Sequence, residues 1–484
     1  MLNPALLAAL GNILPATAIL TASEDTRPYE CDGLTLFREQ PQAVLLPDTE
    51  AQVVAILKLC HAARLPVVAR GAGTGLSGGA LPDRKGAILS LAKFKRIVAI
   101  DPLARTATVQ PGVRNLAISE AAAAYGLHYA PDPSSQIACT IGGNVAENSG
   151  GVHCLKYGLT VHNVRRVRAV LISGEVVEFG GEALDAPGYD LLALMCGSEG
   201  LLAVITEVTV KLTPIAQDAK CVLAAFDDVA KAGNAVAAII GAGIVPSGLE
   251  MMDRLTISAV EPFVHAGYPA DAEVILLCES DGAPAEVTEE VAMVHGLMVE
   301  SGATLIEVSK SEEQRERFWS GRKAAFGAAG RVSPDYYCID GTIPRRALAA
   351  VLKRIGELST EFGLPCMNVF HAGDGNLHPL ILYDANRPGD AEKTQAFGAK
   401  VLELCVEVGG TITGEHGVGV EKIGDMCMQF APAELERFHG VKRAFDPDGL
   451  LNPGKAVPTL HRCAEMGRMH VHHGALPHPD LPRF

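Results

Sequence analysis

Two histidines flank an Asp-Gly dipeptide in residues 368–379, and their spacing suits a shared metal ion. Asp374-Gly375 favours a two-residue hairpin turn, and the apolar runs on both sides predict two strands. Such a turn would place His371 directly opposite His378, with Cβ atoms about 4.5–5.5 Å apart on one face. Two imidazoles at this separation can bind one ion, because the bond from a histidine nitrogen to zinc measures about 2.0–2.1 Å.

A second segment, residues 413–417, supplies the further groups that such a site needs. Glu415 offers a carboxylate, and the adjacent His416 offers a further imidazole. Each motif alone is also compatible with ordinary polar groups in turns. The joint presence of the two motifs favours a metal site built from the two hairpin histidines, Glu415 and His416, with one group to spare as a base.

A glycine-rich segment near the start of the chain is suited to binding phosphate. Residues 66–69 predict a strand that leads directly into the glycine-rich residues 70–79. Glycines let the backbone approach a ligand closely, so that its N–H groups can donate to phosphate oxygens. Gly73, Gly75 and Gly78 match the dinucleotide fingerprint, but no helix begins inside it as a Rossmann unit requires. The segment therefore predicts a phosphate-binding loop and argues against NAD.

The elements around these motifs predict two α+β domains. A second stretch of small residues, 140–151, brings more backbone donors and two asparagines toward the same ligand. Strands and helices up to residue 215 therefore form a first domain with two glycine-rich ligand loops. Beyond it, helical patterns alternate with strands that include the histidine hairpin, which predicts an antiparallel sheet covered by helices. Residues 1–36 predict a helical extension, and residues 459–484 form a tail.

Composition excludes several classes of function. Apolar residues make up 48% and charged residues 20% of the 484, an ordinary globular mix. The net charge of −15 argues against nucleic acid or an anionic membrane surface as the main partner. The 12 cysteines contain no CxxC pair, which argues against a disulfide scaffold or an iron–sulfur cluster and favours a reducing compartment. No apolar run reaches the length of about 18 residues that a membrane span needs, and no signal peptide is predicted.

Five motifs together resemble those of the FAD-linked 2-hydroxyacid dehydrogenases, within the vanillyl-alcohol-oxidase-type flavoproteins. These motifs are residues 70–79, 141–144, 197–200, 371–378 and 414–417. Further stretches resemble one branch of that family, the FAD-binding catalytic subunits of bacterial glycolate oxidases, also called glycolate dehydrogenases. These stretches are residues 29–33, 133–138, 153–158, 333–337 and 460–463. The resemblance extends over residues 29–484, which is most of the chain.

The resemblance implies an α+β flavoprotein of two domains. A PCMH-type FAD-binding domain is expected at residues 37–215, and a substrate (cap) domain of antiparallel sheet and helices at residues 216–458. The FAD is expected to be non-covalent, since residues 70–79 contain neither the histidine nor the cysteine of the covalent members. The residues implied to bind it are Arg70, Gly71, Ala72, Gly73, Thr74, Gly75, Leu76, Ser77, Gly78, Pro131, Asp132, Ser135, Thr140, Gly142, Gly143, Asn144, Gly200, Ile205 and Asn452.

The resemblance also implies roles in catalysis. The two hairpin histidines and Glu415 would bind a divalent metal (zinc, manganese or iron), and His416 would accept the substrate's hydroxyl proton while hydride passes to the flavin. Arg322 is expected to pair with the substrate carboxylate, and a surface arginine on a helix is the alternative. Asn376, beside the metal, is expected to hydrogen-bond the substrate or the edge of the flavin.

The reaction that the resemblance implies is the oxidation of a small 2-hydroxy acid to a 2-oxo acid, with glycolate as the first candidate substrate. D-lactate or D-2-hydroxyglutarate are alternative substrates, and a non-catalytic flavin subunit is a third reading. The chain lacks an NAD-binding unit and a cysteine cluster. The resemblance implies that electrons pass to an iron–sulfur subunit and a second flavin-type subunit, which deliver them toward the quinone pool. The tail, residues 459–484, is a candidate docking surface. The expected location is cytoplasmic, at the inner membrane only through these partners.

Overall fold

The computed structural model describes residues 2–183 and 188–458, so the predicted docking tail lies outside the described residues. The helices are α1 (Pro4–Gly11), α2 (Ser23–Thr26), α3 (Glu50–Ala62), α4 (Asn115–Ala122), α5 (Ile141–Glu147), α6 (Cys154–Tyr157), α7 (Thr160–Asn163), α8 (Leu191–Met195), α9 (Val229–Gly241), α10 (Arg254–Val264), α11 (Pro284–Glu300), α12 (Glu312–Val332), α13 (Leu348–Phe362), α14 (Asp390–Glu407), α15 (Met426–Gln429) and α16 (Pro432–Phe445). Among the described helices, none is both long and apolar enough to cross a membrane.

The strands alternate with these helices along the chain. They are β1 (Ile19–Leu20), β2 (Ala43–Leu45), β3 (Val67–Arg70), β4 (Ala87–Ser90), β5 (Ile97–Asp101), β6 (Thr106–Val109), β7 (Leu127–His128), β8 (Val164–Val170), β9 (Val176–Gly180), β10 (Val204–Lys211), β11 (Thr213–Pro214), β12 (Asp218–Phe226), β13 (Gly248–Asp253), β14 (Val274–Gly282), β15 (Leu305–Val308), β16 (Asp335–Cys338), β17 (Gly341–Thr342), β18 (Cys366–His371), β19 (Asn376–Leu377) and β20 (Pro379–Tyr383).

The first half of the chain forms two main sheets that differ in strand direction. In the first, β2, β4 and β3 run parallel, and β1 joins the edge antiparallel, in the order β1-β2-β4-β3. The second is antiparallel, in the order β5-β6-β10-β8-β9. Parallel strands present the residues that follow them at one common edge. Residues 71–79 therefore lie at this edge, because β3 ends at Arg70.

The predicted helical extension contributes to the first sheet as well as packing on it. Helix α1 begins where the side chain of Asn3 accepts a hydrogen bond from the N–H of Ala5. Leu10 and Leu14 are buried in the same core as α3 and the parallel strands. The extension then forms β1, which pairs with β2, so it is more than the helix that the sequence predicts.

The second small-residue stretch folds as helix α5 over Ile141–Glu147, so the prediction of a loop there is wrong. Two adjacent glycines mislead the sequence interpretation, because glycine lowers helix propensity. Here the missing side chain serves close packing instead: a Cβ on Gly142 would lie 2.5 Å from Cβ of Pro111. Helix α5 therefore lies directly against the segment that precedes α4.

The second half of the chain is built on one large antiparallel sheet, which confirms the predicted fold class. Its order is β15-β12-β14-β13-β18-β19-β17, and β20 pairs with β18 and β16. Side chains alternate between the faces of a strand. On β14, Val274 and Leu276 face the core that includes α9, α11, α13 and α14. Ile275 and Leu277 face the core that includes α10 and α12, so helices cover both faces.

Candidate active site

The histidine hairpin has a wider turn than the Asp-Gly dipeptide predicts. His371 pairs with Asn376 instead of His378, so four residues form the turn. Only Gly375 has a positive φ, of 87°, whereas the carboxylate of Asp374 accepts from the N–H of Asn376 at 3.0 Å. The predicted direct opposition of the two histidines is therefore wrong. The register differs by two residues, and a shift of two keeps both side chains on one face of the sheet.

The three predicted ligands meet in spite of that shift. Nε2 of His378 lies 3.0 Å, and Nε2 of His371 lies 3.5 Å, from Oε1 of Glu415. One ligand atom from each residue lies within 4.8 Å of the others. Burial raises the pKa of Glu415, but the two histidines outweigh it and hold that pKa well below its usual range. This triad of two imidazoles and one carboxylate is a donor set that suits a divalent transition metal.

A second group also brings three donor atoms together: Cys338, His378 and His416. Burial raises the pKa of the Cys338 thiol well above its usual range. The thiolate, not the thiol, is the metal ligand, so this group is the weaker candidate. His378 belongs to both groups, which leaves His416 available as a base when the triad holds the ion.

Glu250 orients one ligand of the triad, and sequence analysis did not single it out. It lies on β13 directly opposite His371, with Oε1 2.6 Å from Nδ1 of that histidine. A carboxylate at the second ring nitrogen fixes the tautomer of a ligating histidine and leaves Nε2 for the metal. Burial raises the pKa of Glu250, but His371 and Arg322 together lower it. Its one sequence signal is an acidic residue within the apolar run of β13.

Arg322 lies behind the triad. Its Nε donates to Oε2 of Glu250 at 2.6 Å, and its side chain is 3% exposed, so the alternative of a surface arginine is wrong. The neighbouring Lys323, on the same helix α12, lines the cavity described below, whereas Arg322 does not. The predicted contact of Arg322 with a substrate carboxylate stays a prediction.

His416 is a half-buried imidazole stacked on His378 of the triad. Its ring lies 5.1 Å from that of His378, at an interplanar angle of 14°. Burial lowers the pKa of His416 to about 4, although Asp340 acts in the opposite direction. Its Nδ1 has no hydrogen-bond partner within the described part of the chain. A neutral imidazole of this kind can accept a proton.

Asp340 anchors the base loop (residues 413–417), and sequence analysis did not single it out. Its carboxylate accepts hydrogen bonds from the N–H groups of Gly414 at 3.0 Å, Glu415 at 3.1 Å and His416 at 2.9 Å. Nζ of Lys422 donates to it at 3.0 Å, and both side chains are fully buried. Burial raises the pKa of Asp340, but Lys422 and nearby histidines lower it far more. The ion pair thus fixes both a predicted ligand, Glu415, and the predicted base, His416.

Asn376 donates a hydrogen bond to the same carboxylate of Asp340. Its Nδ2 donates to Oδ1 of Asp340 at 2.9 Å and lies 3.4 Å from the carbonyl oxygen of Gly341. The side chain does not line the first cavity described below. The predicted hydrogen bond from Asn376 to substrate or flavin stays a prediction, and the contact that the structure shows is the one to Asp340.

Replacing Asp340 by asparagine is expected to lower the free energy of unfolding by about 3–5 kcal/mol, because the change removes the carboxylate paired with buried Lys422. Equilibrium unfolding in guanidinium chloride measures this loss. Asp227→Asn is the control, since its 2.8 Å pair with Lys231 lies on the surface and contributes little. Equal unfolding midpoints for the two variants would contradict the anchoring role of Asp340.

The first cavity, of about 390 Å³, extends from the phosphate loop (residues 70–79) to the triad. At its far end it is lined by His378, Glu415 and His416. Most residues predicted to bind FAD also line it: Arg70, Gly71, Ala72, Gly73, Thr74, Gly75, Leu76, Ser135, Thr140, Gly142, Gly143, Asn144, Gly200 and Ile205. The predicted cofactor segments and the predicted chemical groups therefore share one cavity.

Five residues predicted to bind FAD do not line this cavity: Ser77, Gly78, Pro131, Asp132 and Asn452. Several of them hold the lining segments in place. The carbonyl oxygen of Ser77 accepts from the N–H of Val420 at 3.0 Å. Nδ2 of Asn452 donates to the carbonyl oxygen of Gly79 at 2.9 Å, and Oδ2 of Asp132 lies 2.7 Å from Nδ1 of His153.

The phosphate loop fits a pyrophosphate group. Within the described residues, nothing accepts a hydrogen bond from the backbone N–H groups of residues 72–76. Gly73 has a φ of 73°, and a Cβ there would overlap the guanidinium of Arg70, which supplies positive charge beside the loop. Oγ1 of Thr140 is buried in the same cavity with no partner among the described residues. Free amides, a cation and a spare hydroxyl match the phosphate and hydroxyl groups of FAD.

Two glutamates that sequence analysis did not assign, the buried Glu199 and the half-buried Glu147, lie between the cavity and the residues that follow the base loop. Glu199 accepts hydrogen bonds from the N–H groups of Val418 and Gly419, each at 2.7 Å. Glu147, at the end of α5, lines the cavity beside it. Burial raises the pKa of both carboxyl groups. Glu199 thereby ties the residues after His416 to the first half of the chain.

Comparison with protein families finds two matching models. Residues 41–180 match the FAD binding domain, and residues 215–456 match the C-terminal domain of the FAD linked oxidases. Together these matches cover the phosphate loop, the histidine hairpin and the base loop.

Curated proteins of similar sequence include glycolate oxidase subunits. The chain is 61% identical to glycolate oxidase subunit GlcD of Escherichia coli (strain K12), over 99% of this chain and 96% of that protein. It is 37% identical to glycolate oxidase subunit GlcD of Bacillus subtilis (strain 168), over 88% and 91%. It is 31% identical to D-lactate dehydrogenase of Anaerostipes hadrus, over 91% and 95%.

Solved structures of similar fold share little sequence with this chain. Substrate-bound p-cresol methylhydroxylase superposes with a TM-score of 0.80 at 18% identity, over 94% of this chain and 97% of that one. 4-Ethylphenol oxidase from Gulosibacter chungangensis superposes with a TM-score of 0.77 at 16% identity, over the same shares. These likenesses concern the fold alone.

Proposed function

The chain belongs to the FAD-linked oxidases, and we propose that it oxidises a small 2-hydroxy acid, glycolate in the first place, to the 2-oxo acid. One observation carries this proposal: two members of the triad, His378 and Glu415, and the neutral base His416 line the end of the cavity that fits FAD. The 61% identity to a glycolate oxidase subunit favours glycolate. D-lactate is the second candidate, supported by relatives at lower identity.

We propose that His371, His378 and Glu415 hold a divalent cation, with zinc, manganese and iron all compatible with these donors. When bound, the cation would lower the pKa of a substrate hydroxyl and neutralise charge on its carboxylate. Glu250 keeps the proton on Nδ1 of His371, so that Nε2 would be the atom that holds the ion.

The chain's other residues position the substrate and move its proton. His416 accepts the hydroxyl proton on its imidazole, and Asp340 holds the backbone of this base in place. Lys323 and Arg322 provide positive charge for the substrate carboxylate, Lys323 from the cavity lining and Arg322 from behind Glu250. We assign Asn376 a positioning role through Asp340. The flavin, when bound, supplies the two-electron acceptor.

We further propose that residues 37–215 hold FAD without a covalent bond and that residues 216–458 provide the substrate site. The electrons then leave through partner proteins. The relatives named as glycolate oxidase subunits support membership of a multisubunit complex. Within it, we propose an iron–sulfur subunit and a second flavin-type subunit as partners, which would hold the chain at the inner membrane.

An acceptor-dye assay with a substrate panel tests this function. The chain is purified with FAD and a divalent metal, then supplied with glycolate, D-lactate, D-2-hydroxyglutarate or glycerol. We expect the highest kcat/KM for glycolate and no turnover of glycerol, which lacks a carboxylate. If kcat/KM were higher for D-lactate than for glycolate, D-lactate would be the preferred substrate. If none of the acids were oxidised, the proposed function would be contradicted.

A further inference from the structure

A second cavity, of about 810 Å³, opens beside the triad. Its lining includes His371, Asp374 and Glu415, but none of residues 70–79. Residues from three other parts of the chain complete it: Gly150 and Cys154 after α5, Arg345 and Arg346 before α13, and Thr411 before the base loop. This cavity therefore reaches the triad without passing the phosphate loop.

The two cavities meet at Glu415. Glu415 lines both of them, whereas His378 lines the first and His371 lines the second. Gly150 lies against this carboxylate from the side of the second cavity, since a Cβ there would lie 2.5 Å from Oε2 of Glu415. A cation held by the triad would thus be accessible from two sides.

The first cavity is already assigned to the cofactor. It is lined by the phosphate loop and by the residues that follow Pro131 in the expected flavin site, such as Ser135. A substrate that entered through it after FAD had bound would share it with the cofactor. The second cavity reaches the same carboxylate and one histidine of the triad from elsewhere.

Positively charged side chains line the second cavity. The chain carries a net charge of −15, which repels a carboxylate anion at long range. Arg345 and Arg346 line the cavity, and Arg346 is exposed. Arg345 is fixed to the hairpin turn, because its guanidinium donates to the carbonyl oxygen of Gly373 at 3.0 Å. The carboxyl groups of the cavity, on Asp374 and Glu415, lie at the triad end, where a bound cation would offset them.

We infer that the second cavity is the entrance through which the 2-hydroxy acid anion reaches the triad and the 2-oxo acid leaves, with Arg346 attracting the anion. This inference rests on the proposed function. It adds a route and a residue that attracts the substrate without touching the reacting atoms. Charge at the mouth of a cleft raises the local concentration of an oppositely charged ligand, and salt screens the effect.

Reversing the charge of Arg346 tests the inference on the FAD- and metal-loaded chain. The probe is oxalate, a two-carbon dianion that cannot be oxidised as a 2-hydroxy acid, and stopped-flow absorbance of the bound flavin measures its association rate constant. We expect Arg346→Glu to lower this rate constant about tenfold at low salt, and the difference to shrink at high salt. kcat/KM for glycolate should fall with kcat nearly unchanged.

Two further variants make the comparison decisive. Arg346→Lys keeps the charge and should keep the wild-type association rate constant and its salt dependence. Arg354→Glu changes an arginine on α13 that pairs with Glu361, outside the cavity lining, and should have no effect on this rate constant. Equal association rate constants for Arg346→Glu and wild type at low salt would overturn the inference while leaving glycolate oxidation intact. If the wild type oxidised no 2-hydroxy acid, the proposed function would fail, and the oxalate comparison would still decide the route.

Discussion

Replacing His378 by alanine is expected to remove the bound divalent metal and to lower turnover by about three decades, with the flavin retained. The reason is the loss of about 4 kcal/mol of charge stabilisation by the metal, at 1.36 kcal/mol for each tenfold in rate. His371→Ala should behave in the same way, because both rings contact Glu415. Elemental analysis and the flavin absorbance of each purified variant check the two parts of this expectation.

Two comparison variants define the range of this effect. Glu250→Gln removes the carboxylate beside Nδ1 of His371 and should cost about 10–100-fold in metal affinity or activity, less than loss of a ligand. His295→Ala changes an exposed histidine on α11 and should leave metal content and turnover as in the wild type. A His378→Ala protein that still bound one metal per chain would show that the triad is not the metal site.

Replacing His416 by alanine is expected to lower kcat by roughly two to four decades, the usual contribution of a general base. The structure supports this role because burial lowers the pKa of His416 to about 4, so that the imidazole is neutral and able to accept a proton. Steady-state kinetics with an acceptor dye measures the loss of kcat.

The metal content of the His416→Ala variant shows whether His416 acts as a base or as a metal ligand. His416→Ala should retain more metal than Glu415→Ala, because Glu415 contacts both histidines of the triad whereas His416 only stacks on one of them. Equal loss of metal would favour the alternative ligand group of Cys338, His378 and His416. In that case the role of base would have to pass to another residue.

Residues that are close in sequence allowed much of the site to be predicted. The Asp-Gly turn and the two apolar runs gave the hairpin, and the two histidines lie on one face although the turn is wider. The error of two residues in register was harmless because side-chain direction repeats every two residues. The prediction of a loop at α5 failed because glycines that serve packing against Pro111 look the same in sequence as glycines that serve flexibility.

Groups that act across long sequence separations could not be predicted. Glu250 precedes His371 by 121 residues, and Asp340 precedes Lys422 by 82, so only the paired sheet and the folded base loop bring them together. Buried charges of this kind look like ordinary surface residues in a sequence. The structure shows that they are paired, and the pairing explains how the proposed ligands and the proposed base are held in position.

The most direct test of the central claim is an anaerobic titration of the FAD-loaded chain with glycolate, followed by flavin absorbance. The same sample is measured with its metal, after removal of the metal by a chelator, and after the metal is restored. The account predicts bleaching of the flavin in the first and third states and none in the second, with the flavin still bound throughout. Equal bleaching by glycolate in the metal-free protein would contradict it.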